Sequence, residues 1–86
     1  MPGISEFYGI FVYMYYNEHG IPHFHAIYGG EEAVFAIENG SVLAGHTPRR
    51  AEKMIIEWIE LHRNELLKNW RLARDGEQLA PIAPLD

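Results

Sequence analysis

The hydrophobic period of this chain changes once, at Thr47-Pro48, and that change limits the folds open to it. Before it, short aromatic and β-branched runs are separated by turn residues; after it, apolar residues recur at helical spacing with no Gly or Pro until Gly76. Strands followed by one long helical segment, in 86 residues, give an α+β domain with one core, covering 1–86.

The strand half predicts a small antiparallel meander of three to four strands over about residues 7–45. Phe7 to Tyr16, aromatic and β-branched throughout, reads as one strand covered on both faces. Asn17-Glu18-His19-Gly20 makes a turn, and Pro22 precedes a second strand, His23 to Tyr28. Gly29-Gly30 turns the chain into a third strand, Glu31 to Glu38, and Asn39-Gly40 into a short fourth, Ser41 to Gly45.

For the helix, Thr47 supplies a hydroxyl cap, Pro48 the first helical position and Gly76 the stop, which predicts a helix over about 48–75. Ala51, Met54, Ile55, Trp58, Ile59, Leu61, Leu66, Leu72 and Ala73 project onto one broad face that packs on the sheet. At ~1.5 Å per residue such a helix is ~42 Å long, against roughly 30 Å for a strand of nine or ten residues. It therefore either kinks into two near His62 to Asn64 or overhangs the sheet with Leu66, Trp70 and Ala73 in need of a cover. The apolar tail within residues 77–86, Leu79 to Leu85 with prolines three apart, favours an extended conformation and offers itself as that cover; a second copy or another partner would serve too.

Charge is distributed unevenly. All seven Lys and Arg lie between Arg49 and Arg74, whereas residues 1–46 carry only Glu6, Glu18, Glu31, Glu32 and Glu38, with four of the five His. Nucleic-acid binding needs clustered cations against phosphates, so the strand half is excluded as such a surface. With no cysteine, disulfides, thiol nucleophiles and Cys-based metal sites are excluded, and any metal rests on His and carboxylates. No apolar run approaches the ~18 residues of a membrane span, and residues 1–6 lack the basic and apolar segments of a secretory signal, so the expected location is the cytoplasm, with no membrane partner.

Three groups of residues stand out. His23 and His25, two apart on a strand, point to one side and form the start of a divalent-metal site for a cation such as zinc, or an acid–base pair, with His19, His46 or Glu18 as a third member. His62, Glu65 and Asn69 project near the middle of the apolar helix face, where polar groups must pair or line a cavity, and His62 and Glu65 are spaced for mutual contact. If the sheet face bearing the histidines is the one the helix covers, His23, His25, His62 and Glu65 converge into one catalytic cluster; strand register decides the face. The third group is a stripe of Arg49, Ile56, Arg63, Leu67 and Arg74 on the outer side of the helix, which with the overhanging Trp70 suits contact with a protein.

These residues carry a resemblance over nearly the whole chain. Pro2, Ile4-Ser5, Phe7-Tyr8-Gly9-Ile10, Met14-Tyr15, Glu18-His19, Pro22-His23-Phe24-His25-Ala26, Tyr28-Gly29, Gly40, Pro48, Arg50-Ala51, Glu57-Trp58, Leu61-His62, Glu65-Leu66, Asn69-Trp70 and Pro84-Leu85 resemble the pattern of a small bacterial family named domain of unknown function 4160. Ile21 and His46-Thr47 depart from it. The resemblance implies no settled activity. It does imply membership of compact two-gene units, commonly beside domain of unknown function 2442, some of them labelled toxin–antitoxin-like or regulatory, and hence a protein partner.

The function expected is therefore a cytoplasmic interaction module, one component of a toxin–antitoxin-like or regulatory pair, binding a small cognate protein or a second copy through the helix stripe and tail. The alternative is a small hydrolase or ribonuclease-type toxin using His23 and His25, supported by His62 and Glu65. Its weakness is the lack of cations beside those imidazoles to hold phosphate.

Overall fold

Two-residue turns set the sheet. Tyr8-Gly9, at φ 49° and 80°, and Gly29-Gly30, at 57° and 83°, are mirror-image turns whose twist matches that of the strands they join. The computed structural model describes residues 3–86; Met1 and Pro2, which entered the signal-segment and family readings above, lie outside the described residues. The strands are β1 (Gly3–Phe7), β2 (Ile10–Tyr13), β3 (His23–Tyr28), β4 (Glu31–Ala36) and β5 (Val42–Gly45), followed by one helix, α1 (Arg49–Arg74). They form a five-stranded antiparallel sheet in the order β1-β2-β3-β4-β5.

This is the expected α+β meander with one more strand. The run Phe7 to Tyr16 is not a single strand, because the left-handed backbone at Tyr8-Gly9 folds it into the β1–β2 hairpin. The third predicted strand stops at Ala36 instead of Glu38. Asn39-Gly40 closes a four-residue loop in which Gly40 N–H donates to Ala36 O (2.8 Å) and Ser41 N–H to Asn39 Oδ1 (3.0 Å). In β5, Gly45 is obligatory: at φ 76°, a Cβ there would sit 2.1 Å from the Glu32 carbonyl oxygen.

Pleating divides the sheet into a face against α1 and an open face. Ile10 and Val12 of β2, Phe24 and Ala26 of β3, and Ala33 and Phe35 of β4 pack with Ile55, Trp58, Ile59 and Leu66 of the helix. Trp58 is the hub, its ring 5.2 Å from Phe7 and 5.7 Å from Phe24. A buried aromatic side chain of ~150–250 Å² contributes roughly 4–6 kcal/mol at ~25 cal/mol per Å².

Eight buried residues of α1, from Ala51 through Trp58 to Trp70 and Ala73, lie in an arc of roughly 120° at 100° per residue. That arc is turned toward Trp70 relative to the predicted face, which leaves Leu61 65% exposed and Glu65 in solvent while Asn69 is buried. Only His62 leaves helical geometry (φ −126°, ψ 23°) within the one helix. Gly76, at φ 72°, ends it with Glu77 N–H bonded to Leu72 O (2.9 Å).

The overhang is covered by the chain's own tail. Asn69 makes a two-way clamp, donating from Nδ2 to Ala80 O (2.8 Å) and accepting from Ala80 N–H (2.9 Å). Trp58 Nε1 donates to Ala83 O (2.9 Å), and Ile82 N–H donates to Ile4 O (2.8 Å), tying the tail to β1. Ile82 itself is buried in the core.

The start of α1 departs from the expected cap. Pro48 holds the cap position with no side-chain bond, and the buried Thr47 Oγ1 has no partner. A buried unpaired hydroxyl costs about 1–3 kcal/mol, so Thr47→Val should raise stability by on the order of 1 kcal/mol in urea unfolding. Asn69→Ala should lower it by about 1–2 kcal/mol, since one substitution removes both hydrogen bonds to the Ala80 backbone; faster amide hydrogen exchange across residues 79–85 reports the loosened tail.

Candidate functional site

The even residues of β3 enter the core, so His23 and His25 fall on the open face of the sheet, away from the helix layer. They are nonetheless nearly buried, each 9% exposed. The β2–β3 connection covers them. Asn17 takes a left-handed conformation (φ 61°), and Glu18, next in the chain, bridges both rings: its Oε2 lies 3.1 Å from His23 Nε2 and its Oε1 2.7 Å from His25 Nε2.

The other ring nitrogens are also engaged. His23 Nδ1 donates to Ile21 O (2.7 Å), and His25 Nδ1 lies 3.0 Å from Glu32 Oε2. Tyr13 stacks on His25 (5.3 Å between ring centres, 17°), and Tyr15 stands edge-on to it at 4.7 Å. Trp70, from the far end of the helix, packs 4.8 Å from His23. One metal-ligating group emerges among the described residues: Glu18, His23 and His25 each present a ligand atom, all within 4.8 Å of one another.

Electrostatics follow from this enclosure. Burial alone would raise the Glu18 carboxyl, but hydrogen bonds from His23 and His25 and their positive charge outweigh it and hold the carboxyl below its ordinary range. Burial, reinforced by the neighbouring Tyr15 and Glu32, keeps the Tyr13 phenol well above its ordinary value and therefore protonated.

His62 and Glu65 form a pair of their own, Nδ1 to Oε1 at 2.6 Å, next to Trp58 and to a shallow cleft shared with Ala83 to Asp86 of the tail. They do not join His23 and His25, because those rings lie on the sheet face opposite the helix. Of the helical stripe, Arg49 and Arg74 are exposed, whereas Ile56, Arg63 and Leu67 are half-buried. The buried arc is turned toward them: Arg63 Nε donates to Ile37 O (3.0 Å), and Ile56 packs on Gly40. Trp70 is 6% exposed and is held by the fold, not offered to a partner.

Two features of this face were missed by sequence reasoning. Glu32 reaches His25 because the Gly29-Gly30 turn pairs Tyr28 with Glu31, a register that the turn signal itself encodes. Beyond the histidines, the open face presents the cross-strand row Glu6, Phe11, Ile27, Glu32, with Val34 and Ala44 beside it. Phe11 is 52% exposed at its centre. Strand alternation from Ile10 would have found it.

No helix among the described residues is long and apolar enough to cross a membrane. No curated protein and no solved structure matches the chain. The family described as "Domain of unknown function (DUF4160)" matches residues 9–71, well over half of the length, a span that includes both β3 histidines, Glu18 and all but the last turn of the helix. The chain therefore belongs to the DUF4160 family.

Proposed function

We propose that this domain is a cytoplasmic protein-interaction module, one component of a regulatory or toxin–antitoxin-like pair, that receives its partner on the open face of the sheet. The observation that carries this is the single helical layer. Phe11, Ile27 and Val34 form an apolar patch with no second layer over it among the described residues, bounded by Glu6 and Glu32. Rimmed apolar patches of this kind suit protein contact.

Charge selects the partner. Residues 3–46 hold no Lys or Arg, so this face is anionic, and it fits a segment carrying basic residues around an apolar centre. A second copy would bring Glu6 and Glu32 against their equivalents, which disfavours a face-to-face homodimer. The helix stripe contributes less than the sequence suggested, since Arg63 and Trp70 are committed to internal contacts. The hydrolase reading has no cation at its imidazoles: among the described residues, the hydrogen-bond partners of His23 and His25 are Ile21, Glu18 and Glu32.

Light scattering after size exclusion, with the chain alone and mixed with the protein encoded beside it, tests the proposal. The expected result is a monomer alone and a 1:1 complex in the mixture, weakened at 0.5 M salt. Phe11→Ser and Glu6→Lys should each weaken the complex by roughly tenfold or more, on the scale of a central interface residue. A complex indifferent to both substitutions would move the interface elsewhere, and the absence of any complex would end the interaction reading.

A further inference from the structure

The four ring nitrogens of His23 and His25 face four oxygen atoms: the Ile21 carbonyl, both oxygens of Glu18 and one of Glu32. A carbonyl and an ionised carboxylate accept hydrogen bonds and donate none. Satisfying all four contacts takes either two N–H groups on each ring, or an N–H on each Nδ1 and a cation between the two Nε2 atoms and Glu18. The geometry of the four contacts has a regular pattern. The Ile21 carbonyl places one proton on His23 Nδ1, and the Glu32 carboxylate is placed to take the other from His25 Nδ1. Both Nε2 atoms then converge on Glu18.

That is how metal-ligating histidines are held: one ring nitrogen on the cation, the other N–H on a carbonyl or carboxylate that fixes ring orientation. We propose that Glu18, His23 and His25 bind a first-row divalent cation such as zinc, through the two Nε2 atoms and the Glu18 carboxylate, with Ile21 O and Glu32 orienting the rings. A divalent ion carries the same two positive charges as a second proton on each ring. Two imidazoles and a carboxylate form a recurrent three-ligand set for such ions, and they leave a further position on the metal for water.

In a tetrahedral site with bonds of ~2.0–2.1 Å, neighbouring ligand atoms stand ~3.3 Å apart. The two oxygens of Glu18 lie 2.7 and 3.1 Å from the two nitrogens, and the three ligand atoms lie within 4.8 Å of one another, so the group closes on a cation by rotation of the loop carboxylate and adjustment of the rings. The two histidines stand on a strand with the core at its back, and Glu18, partly exposed, stands on the connection that can yield. His19 and His46, the other candidates for a third ligand, are exposed, and neither belongs to the cluster. This inference does not rest on the partner proposed above.

Isothermal titration of the purified full chain with Zn²⁺, and with Co²⁺ followed by its visible absorption, tests it. The expected result is one ion per chain with micromolar or tighter affinity. Co²⁺ should quench Trp70 fluorescence through the adjoining His23 ring. Glu18→Gln, His23→Ala and His25→Ala should each weaken binding by at least tenfold, and Glu32→Gln by about tenfold, the scale for an orienting group. His46→Ala and His62→Ala should change it by less than twofold. Because Glu18→Gln keeps the size of the side chain, it remains decisive if a histidine variant fails to fold, with circular dichroism as the check. Failure to saturate below millimolar metal, binding that survives Glu18→Gln intact, or ¹⁵N shifts showing both rings doubly protonated and indifferent to added Zn²⁺ would each overturn the site.

Discussion

The pleat of β3 is the constraint on which the rest depends. Phe24 stacks on Phe35 and meets Trp58, so this strand cannot slip by one residue without removing the largest aromatic cluster from the core. The same lock fixes His23 and His25 on the opposite face with no freedom to turn inward. Chemistry and folding are thus coupled through alternate residues of one strand. Residues on one side set the register, and those on the other inherit a fixed spacing.

Against that rigid pair stands a pliable one. Glu18 comes from a nine-residue connection, Met14 to Pro22, that carries the exposed Tyr15, Tyr16 and Ile21 and depends on a left-handed Asn17 to turn the carboxylate onto the rings. The helix reaches the same place from the far side, where Trp70 touches His23 and its neighbour Asn69 clamps the tail. The cluster therefore sits where the sheet, a loop and the end of the helix meet, and the anionic apolar patch adjoins it on the same open face, with Glu32 shared between them. The layers also differ in sign: every Lys and Arg is on or beside the helix.

Much of this was legible in the chain. The switch of period at Thr47-Pro48, the glycine turns and the pairing of His23 with His25 on one face follow from local rules, and all are present. The miss at Tyr8-Gly9 was local too, an aromatic residue in a left-handed turn inside a run rich in β-formers. Glu18 stood among three candidate third members without a way to choose, because a turn residue's direction depends on how the connection is pulled over the sheet. Convergence of His62 and Glu65 with the β3 histidines was a statement about which face the helix covers, and the helix covers the other one. The stripe of Arg49, Ile56, Arg63, Leu67 and Arg74 was placed by ideal projection, which assumes the apolar arc is centred where hydrophobicity is greatest.

By itself the sequence determined the class of fold, the order of its elements, the exclusion of sulfur chemistry and the segregation of charge, since each depends on residue identity and near-neighbour geometry alone. Only tertiary structure decided the rotation of the helix toward Trp70, the use of the tail as its cover, the enclosure of the imidazoles by Glu18 and Glu32, and the exposure of Phe11. Those outcomes come from contacts between segments far apart in the chain, where packing chooses among arrangements that local preferences leave equal in energy.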